Sequence, residues 1–129
     1  MRPHYKLDVW KRSFALVKQV YLITESFSKE EKFGLTSQLR RASVSVPTNI
    51  SEGAARNSQK EFIQFLYISL GSLTEVETLI LLSKELNFIK SEQKINDILS
   101  EIEAITKLLL GLINSIKRKL YLCKLTIHY

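Results

Sequence analysis

Hydrophobic residues recur every three or four positions along most of the chain, which is the spacing of amphipathic helices. Only four glycines and two prolines interrupt this pattern. We therefore predict an all-α protein with four long helices, at about residues 8–27, 30–56, 58–88 and 91–120. Short turns between long helices favour an antiparallel up-down-up-down four-helix bundle. The 129 residues then form a single domain.

Capping residues mark three of the predicted helix starts. Asp8 is expected to accept backbone N–H groups of the first turn of the first helix. Ser28 and Ser58 are each followed three residues later by a glutamate, which is the spacing of a capping box. The segment after Leu120 either extends the last helix or frays.

Each predicted helix carries a row of apolar side chains that we expect to face the core. On the fourth helix the row alternates steps of 3 and 4 residues, the heptad spacing of left-handed helix packing. The rows are Trp10, Phe14, Val17, Val20, Tyr21, Thr24 and Phe27 on the first helix; Leu35, Leu39, Ala42, Val46, Ile50 and Ala54 on the second; Phe62, Phe65, Leu66, Leu70, Leu73, Val76 and Ile80 on the third; and Ile95, Ile98, Ile102, Ile105, Leu109, Leu112 and Ile116 on the fourth.

Pro47 falls inside the second predicted helix. A proline in a helix removes one backbone hydrogen bond and kinks or breaks the helix. Two shorter helices are one interpretation. Because the apolar row keeps its phase across Pro47, we predict one helix with a kink.

The third and fourth helices hold more apolar residues than one row requires. Such a wide apolar arc is explained either by a broad core or by an interface between copies, and the pattern favours a homo-oligomer. The surplus residues are Ile63, Ile68, Leu79, Leu81 and Leu82 on the third helix, and Leu99, Leu108, Leu110 and Ile113 on the fourth.

A polar row runs beside the apolar row of the second helix: Gln38, Arg41, Ser45, Asn49, Glu52 and Arg56. Half-buried polar side chains need hydrogen-bond partners, and Ser72 and Glu75 of the third helix are candidates, with Gly71 allowing close approach. We interpret the row as a network that sets helix register. The alternative is a ligand or phosphate site built on Arg41 and Arg56.

The chain has 19 Lys and Arg against 13 Asp and Glu, a net charge of +6, and the excess falls within residues 1–60. A basic surface suits phosphate backbones, although the charge also serves solubility. The candidate nucleic-acid contacts are Lys11, Arg12, Lys18, Arg40, Arg41, Arg56, Lys117, Arg118 and Lys119.

No combination of residues points to catalysis. The chain has one cysteine, Cys123, two histidines near its termini and no glycine-rich phosphate loop. We therefore predict a non-enzymatic protein without a metal or cofactor. No run of apolar residues reaches the ~18–20 of a membrane span, and no apolar signal core follows the N-terminus. We expect a cytoplasmic protein that does not contact membranes.

Several motifs resemble one known family. They are Leu7-Asp8-Val9-Trp10-Lys11, Glu31-Lys32-Phe33-Gly34-Leu35, Ser37-Gln38-Leu39-Arg40-Arg41-Ala42, Ser45-Val46-Pro47, Asn49-Ile50-Ser51-Glu52-Gly53 and Gly71-Ser72-Leu73. The sequence resembles the bacterial 23S ribosomal-RNA intervening-sequence proteins, a family similar to the accessory protein of diversity-generating retroelements.

The resemblance implies a four-helix bundle that assembles into a homopentameric ring, without an established activity. The retroelement relatives bind nucleic acid and a reverse transcriptase through a basic surface. The sequence thus predicts an oligomer that binds RNA or DNA. The alternative is a protein-interaction scaffold, such as an accessory protein of a reverse transcriptase or of another partner.

Overall fold

A computed structural model describes residues 2–127. Among these residues, each helix packs against two neighbours around the bundle, while α1 and α3 are diagonal, as are α2 and α4. This architecture confirms the predicted all-α four-helix bundle. The helices are α1 (Asp8–Thr24), α2 (Leu35–Ala54), α3 (Gln59–Glu85) and α4 (Glu92–Ile127), with short 3-10 turns at Pro3–Lys6 and Lys29–Glu31.

The capping predictions differ in outcome. Ser58 caps α3 as predicted, because its hydroxyl oxygen accepts the Glu61 N–H at 3.1 Å. The prediction for Asp8 is wrong, since Leu7 occupies the N-cap position and Asp8 is the first helical residue. The prediction for Ser28 is also wrong, since Ser28 opens a 3-10 turn without a side-chain cap.

The start of α2 is later than predicted because Gly34 interrupts the helical backbone. Gly34 has φ −103° and ψ −115°, outside the helical region. The Glu31 carboxylate accepts the Leu35 N–H at 3.3 Å, so Glu31 supports the first turn of α2 from the preceding segment. The helix therefore begins at Leu35 instead of near residue 30.

The turn between α3 and α4 has a defined geometry. Asn87 adopts a left-handed conformation with φ 62°, the Phe88 N–H donates to the Ser83 carbonyl, and the Asn87 N–H donates to the Lys84 carbonyl. This is the Schellman pattern that ends many helices. The Ser91 hydroxyl then accepts the Lys94 N–H at 3.2 Å and caps α4, which runs to Ile127 and so includes much of the segment after Leu120.

Helix α2 continues without a break from Leu35 to Ala54, so Pro47 does not divide it into two helices. Because proline has no N–H, the Ser43 carbonyl loses its usual helical donor. The neighbouring Val46 carbonyl accepts a hydrogen bond from the buried Ser69 hydroxyl of α3 at 2.8 Å. The kink at Pro47 stays a prediction.

The predicted core rows are correct on α2 and α4 except at Ala54 and Leu112, which are only partly buried. On α1 the prediction is correct for Val20, Thr24 and Phe27, which are buried, and wrong for Phe14 and Tyr21, which are 52% and 41% exposed. A second row takes their place in the core: Val9, Ser13, Leu16, Val20 and Ile23. Burying Ser13 is tolerated because its hydroxyl donates to the Trp10 carbonyl at 2.6 Å.

The surplus apolar residues divide between the core and the surface. Leu79 and Ile113 are buried, and Ile63, Leu99 and Leu108 are partly buried. Exposed surplus residues are Ile68, Leu81, Leu82 and Leu110. By length and composition, α3 is the one described helix that could cross a membrane, and only 33% of its most apolar window is buried.

Candidate nucleic-acid interface

Only part of the polar row of α2 forms hydrogen bonds within the bundle. Ser45 and Ser72 place their hydroxyl oxygens 2.9 Å apart, and the Asn49 amide donates to the Ser45 hydroxyl at 2.9 Å and to its carbonyl at 2.8 Å. These three side chains are partly buried between α2 and α3 and link the two helices. The other members of the row are exposed: Gln38, Arg41, Glu52 and Arg56.

The proposed partner Glu75 is exposed on α3, and within residues 2–127 it forms no ion pair with Arg41 or Arg56. Arg41 and Arg56 are also far apart along α2 and its C-terminal turn, separated by about four helical turns. The structure therefore does not bring Arg41 and Arg56 together into one phosphate site.

Two candidate arginines are held by neighbouring groups of the same chain. Arg40 donates from Nε to the Thr24 hydroxyl at 2.9 Å, and its guanidinium lies 4.5 Å from the ring centre of Tyr21. Arg12 forms an ion pair with Glu101 of α4 at 2.9 Å. Both contacts connect α1 to an adjacent helix, so these two side chains contribute to the packing of the bundle.

The remaining candidates divide between the sides and one end of the bundle. Lys18 is exposed in the groove between α1 and α2, and Arg41 is exposed on α2, one turn from Ser45 on the side of α3. Lys11, Arg56 and the run Lys117–Lys119 are exposed toward the end where α1 begins, α2 ends, α3 begins and α4 finishes. We call this end of the molecule the basic end.

The charge of α4 changes sign along its length. Its first turns carry Glu92, Asp97, Glu101 and Glu103, and no acidic residue follows Glu103 in the sequence. The later part carries only basic charge: Lys107, Lys117, Arg118, Lys119 and Lys124. Because α4 is antiparallel to α1 and α3, its basic part lies at the end where Lys11 and Arg56 are located.

Aromatic rings accompany the basic groups at this end. Lys117 Nζ donates to the Tyr67 hydroxyl at 2.6 Å and lies 5.0 Å from the centre of that ring. The guanidinium of Arg56 lies 4.8 Å from the centre of the Phe65 ring. Tyr121 is 64% exposed on the last turns of α4. Exposed aromatic rings beside cations are the elements on which single-stranded nucleic acids stack.

Sequence reasoning missed two basic residues of this end, Lys60 and Lys124, which are both exposed. Two signals could have found them: the absence of acidic residues after Glu103, and the up-down topology that joins distant segments at one end. The basic end also holds the exposed acidic residues Asp8, Glu52 and Glu61, which its basic residues outnumber. The opposite end has a more even balance of both signs, with Lys29, Glu30, Glu31, Lys32, Lys84, Glu85, Lys90 and Glu92. Charge is therefore asymmetric along the bundle axis.

Among residues 2–127, no three His, Cys, Asp or Glu side chains cluster closely enough to hold a metal ion. Cys123 is exposed on the last part of α4. Within the described residues, the basic end is the main candidate for a functional surface. It also carries hydrogen-bonding and aromatic groups.

The fold and this surface define a small antiparallel four-helix bundle with one basic end. The model of the 23S rRNA-intervening sequence protein family matches residues 5–111, and the chain belongs to this family. The match confirms the resemblance found in the sequence.

A solved structure is similar to most of the chain. It is a protein of unknown function from the S23 ribosomal protein family of Bacteroides thetaiotaomicron, with a TM-score of 0.73 and 26% sequence identity. The similarity covers 82% of this chain and 95% of that one. No curated protein sequence matches the chain. The run Lys117–Lys119 lies beyond the residues matched by the family model.

Proposed function

We propose that this protein is a non-enzymatic homo-oligomer that binds nucleic acid, RNA or DNA, through its basic end. The observation that carries the proposal is the convergence of three basic segments, distant in sequence, on one end of the bundle. Each phosphate neutralised by Lys or Arg releases condensed counterions, which favours binding at low and moderate salt. Tyr67 and Tyr121, which are 44% and 64% exposed, add rings on which unpaired bases can stack.

Self-association strengthens this binding. A single chain carries only +6, but copies assembled with their basic ends aligned multiply the positive field around one surface. The exposed residues Phe14 and Tyr21 support association, because they line one largely apolar groove with Val17, Val44 and Pro47, and contiguous exposed apolar patches mark interaction sites. A homopentamer, the state implied by the family resemblance, would have a mass of about 75 kDa, five times 14.9 kDa.

The proposal predicts salt-dependent binding. Fluorescence anisotropy of a labelled single-stranded RNA and a labelled duplex DNA, titrated with the protein at several salt concentrations, should give a straight line of log affinity against log salt. The slope is about −0.7 per neutralised phosphate for single strands and about −0.9 for duplex DNA. We expect a slope steeper than about −2, because at least three basic side chains act together.

Sedimentation of the same samples reports whether the oligomer is intact. An intact oligomer that binds neither probe at low salt would contradict the nucleic-acid proposal. It would favour the alternative, a scaffold that binds a protein partner through its exposed apolar residues.

A further inference from the structure

Two matching rows of exposed side chains lie beside each other on α3 and α4 at the basic end. Each row has three residues at steps of 4 and 3, which places them on one side of their helix. The rows are Lys60, Gln64 and Tyr67 on α3, and Lys117, Tyr121 and Lys124 on α4. We call these six residues the α3–α4 seam.

One contact fixes the two rows relative to each other. Lys117 Nζ donates to the Tyr67 hydroxyl oxygen at 2.6 Å. Because α3 and α4 are antiparallel, Lys60, seven residues before Tyr67, lies level with Lys124, seven residues after Lys117. At 1.5 Å per residue, the two rows run side by side for about 10 Å toward the tip of the basic end.

The charges of the seam are all positive and are not neutralised by the bundle. No acidic residue follows Glu103 on α4, and α3 has none between Glu61 and Glu75. Glu61 lies about a third of a turn round α3 from Tyr67, outside the row. Within residues 2–127, none of the three lysines of the seam forms an ion pair. The seam therefore offers its ammonium groups to an anionic partner.

The two tyrosine rings of the seam are open to a partner as well. Tyr67 and Tyr121 are 44% and 64% exposed, and among residues 2–127 neither ring stacks on another aromatic ring. The Tyr67 oxygen accepts the bond from Lys117, so its own O–H is available to donate to a phosphate oxygen. Cations and flat rings thus alternate along one surface.

This alternation distinguishes an unpaired strand from a duplex. A single strand presents both phosphates and accessible base faces, so it can use the lysines and the rings together. A duplex presents the same phosphates, but its bases are already stacked and paired, and a ring reaches a base face only after unstacking. Only the lysines would therefore contribute to duplex binding.

We propose that the α3–α4 seam binds single-stranded nucleic acid, with bases stacked on Tyr67 and Tyr121 and phosphates at Lys60, Lys117 and Lys124. This inference rests on the proposed function and names the form of nucleic acid that the basic end selects.

Removal of the rings tests the selection. One short sequence is prepared as single-stranded RNA, single-stranded DNA and duplex DNA, each labelled for anisotropy titration with the full chain. We expect Y67A/Y121A to bind both single strands at least about 25-fold more weakly than the wild type, about fivefold for each ring. Affinity for the duplex should change less than about threefold, and the salt slope for single strands should stay the same, because stacking releases no counterions.

Removal of the charges should act differently. K60A/K124A is expected to make the single-strand salt slope shallower by about 1.4, since two phosphates contribute about 0.7 each. This variant should weaken duplex binding too, because both forms of nucleic acid use the lysines. The exposed pair K90A/K94A at the opposite end makes the same change in net charge and should leave both slopes unchanged.

Two variants control for the loss of the rings. Y67F/Y121F keeps both rings and removes their hydroxyl groups, so it should retain single-strand affinity within about threefold. F33A removes a ring at the opposite end that is 88% exposed and lies 5.7 Å from Lys32 Nζ, and it should bind like the wild type. Circular dichroism establishes that every variant folds.

Several results would overturn the inference. Single-strand binding by Y67A/Y121A that equals that of the wild type, or an equal loss in F33A, would mean that the tyrosine rings of the seam do not hold bases. If single strands and duplex bind equally and respond only to the lysine variants, the inference fails while the proposed function stands. If no probe binds, both fail.

Discussion

Replacing Lys117, Arg118 and Lys119 together by alanine is expected to weaken binding to single-stranded RNA about 10- to 100-fold at 0.1 M salt. The reason is that each lost phosphate contact removes the release of its counterions, so the salt slope should also become shallower by about 2. Lys117 contributes further through the Tyr67 ring beneath it, 5.0 Å from the ammonium. Anisotropy titrations at several salt concentrations measure both quantities.

The matched control is K29A/K90A/K94A at the opposite end of the bundle. Both triple variants lower the net charge from +6 to +3, so a difference between them reports position rather than total charge. All six residues are exposed, which makes a large effect on folding unexpected. Equal weakening by the two variants would mean that nucleic acid is attracted by net charge alone, contrary to the role of the basic end.

A second large effect is expected from Gly53→Ala, which should lower the free energy of unfolding by about 1–3 kcal/mol. A β-carbon at Gly53 would lie 2.6 Å from the β-carbon of Phe65 and 2.9 Å from a ring carbon of Phe62. The Phe65 β-carbon is attached to the α3 backbone and cannot rotate away. The added methyl group therefore forces α2 and α3 apart, about two helical turns from the contact between Ser45 and Ser72.

Gly111→Ala is the control for this prediction. The same methyl group at Gly111 of α4 would meet no atom within 4 Å. Alanine also costs less backbone entropy than glycine in a helix, so we expect a gain of about 0.5–1 kcal/mol. Urea denaturation at one protein concentration compares the variants, because assembly makes stability depend on concentration. Equal stability of the two variants would contradict the close packing of α2 on α3.

The core of α4 was predictable because its apolar row keeps heptad spacing along the helix. Ile95, Ile98, Ile102 and Ile105 follow heptad spacing, and all are buried. On α1 the same rule failed at Phe14 and Tyr21, because two rows satisfy it. One row contains large aromatic residues, the other contains Ser13, and the hydrophobic criterion favours the aromatic row. The hydroxyl of Ser13 is satisfied within its own helix, so packing places it in the core without an unpaired group.

The same ambiguity explains why two residues predicted for the core lie on the surface of the bundle. The spacing of Phe14 and Tyr21 suits helix packing and so predicts them in the core, but in the structure they line an exposed groove between α1 and α2. Spacing alone does not tell whether the packing partner is the same chain or another copy. The late start of α2 at Leu35 results from the non-helical backbone of Gly34, and residue spacing does not predict such backbone conformations.

The basic end could be predicted only in part. Counting charge along the chain placed the excess in residues 1–60, where Lys11 and Arg56 are found. The chain order separates these residues from Lys117–Lys119, although the antiparallel topology brings them to one end. The contacts that hold Arg12 and Arg40 within the bundle depend on exact side-chain neighbours, Glu101 and Tyr21, which only the structure supplies.

Cross-linking of a single-stranded RNA carrying 4-thiouridine to the wild-type protein, followed by mass spectrometry of the linked peptides, locates the nucleic-acid contact on the molecule. We expect cross-links in peptides that contain Tyr67, Tyr121 or Lys117–Lys119, and their loss when the salt concentration is raised. Cross-links confined to the groove between α1 and α2, at Phe14 or Tyr21, or to the opposite end of the bundle would mean that the basic end does not bind nucleic acid.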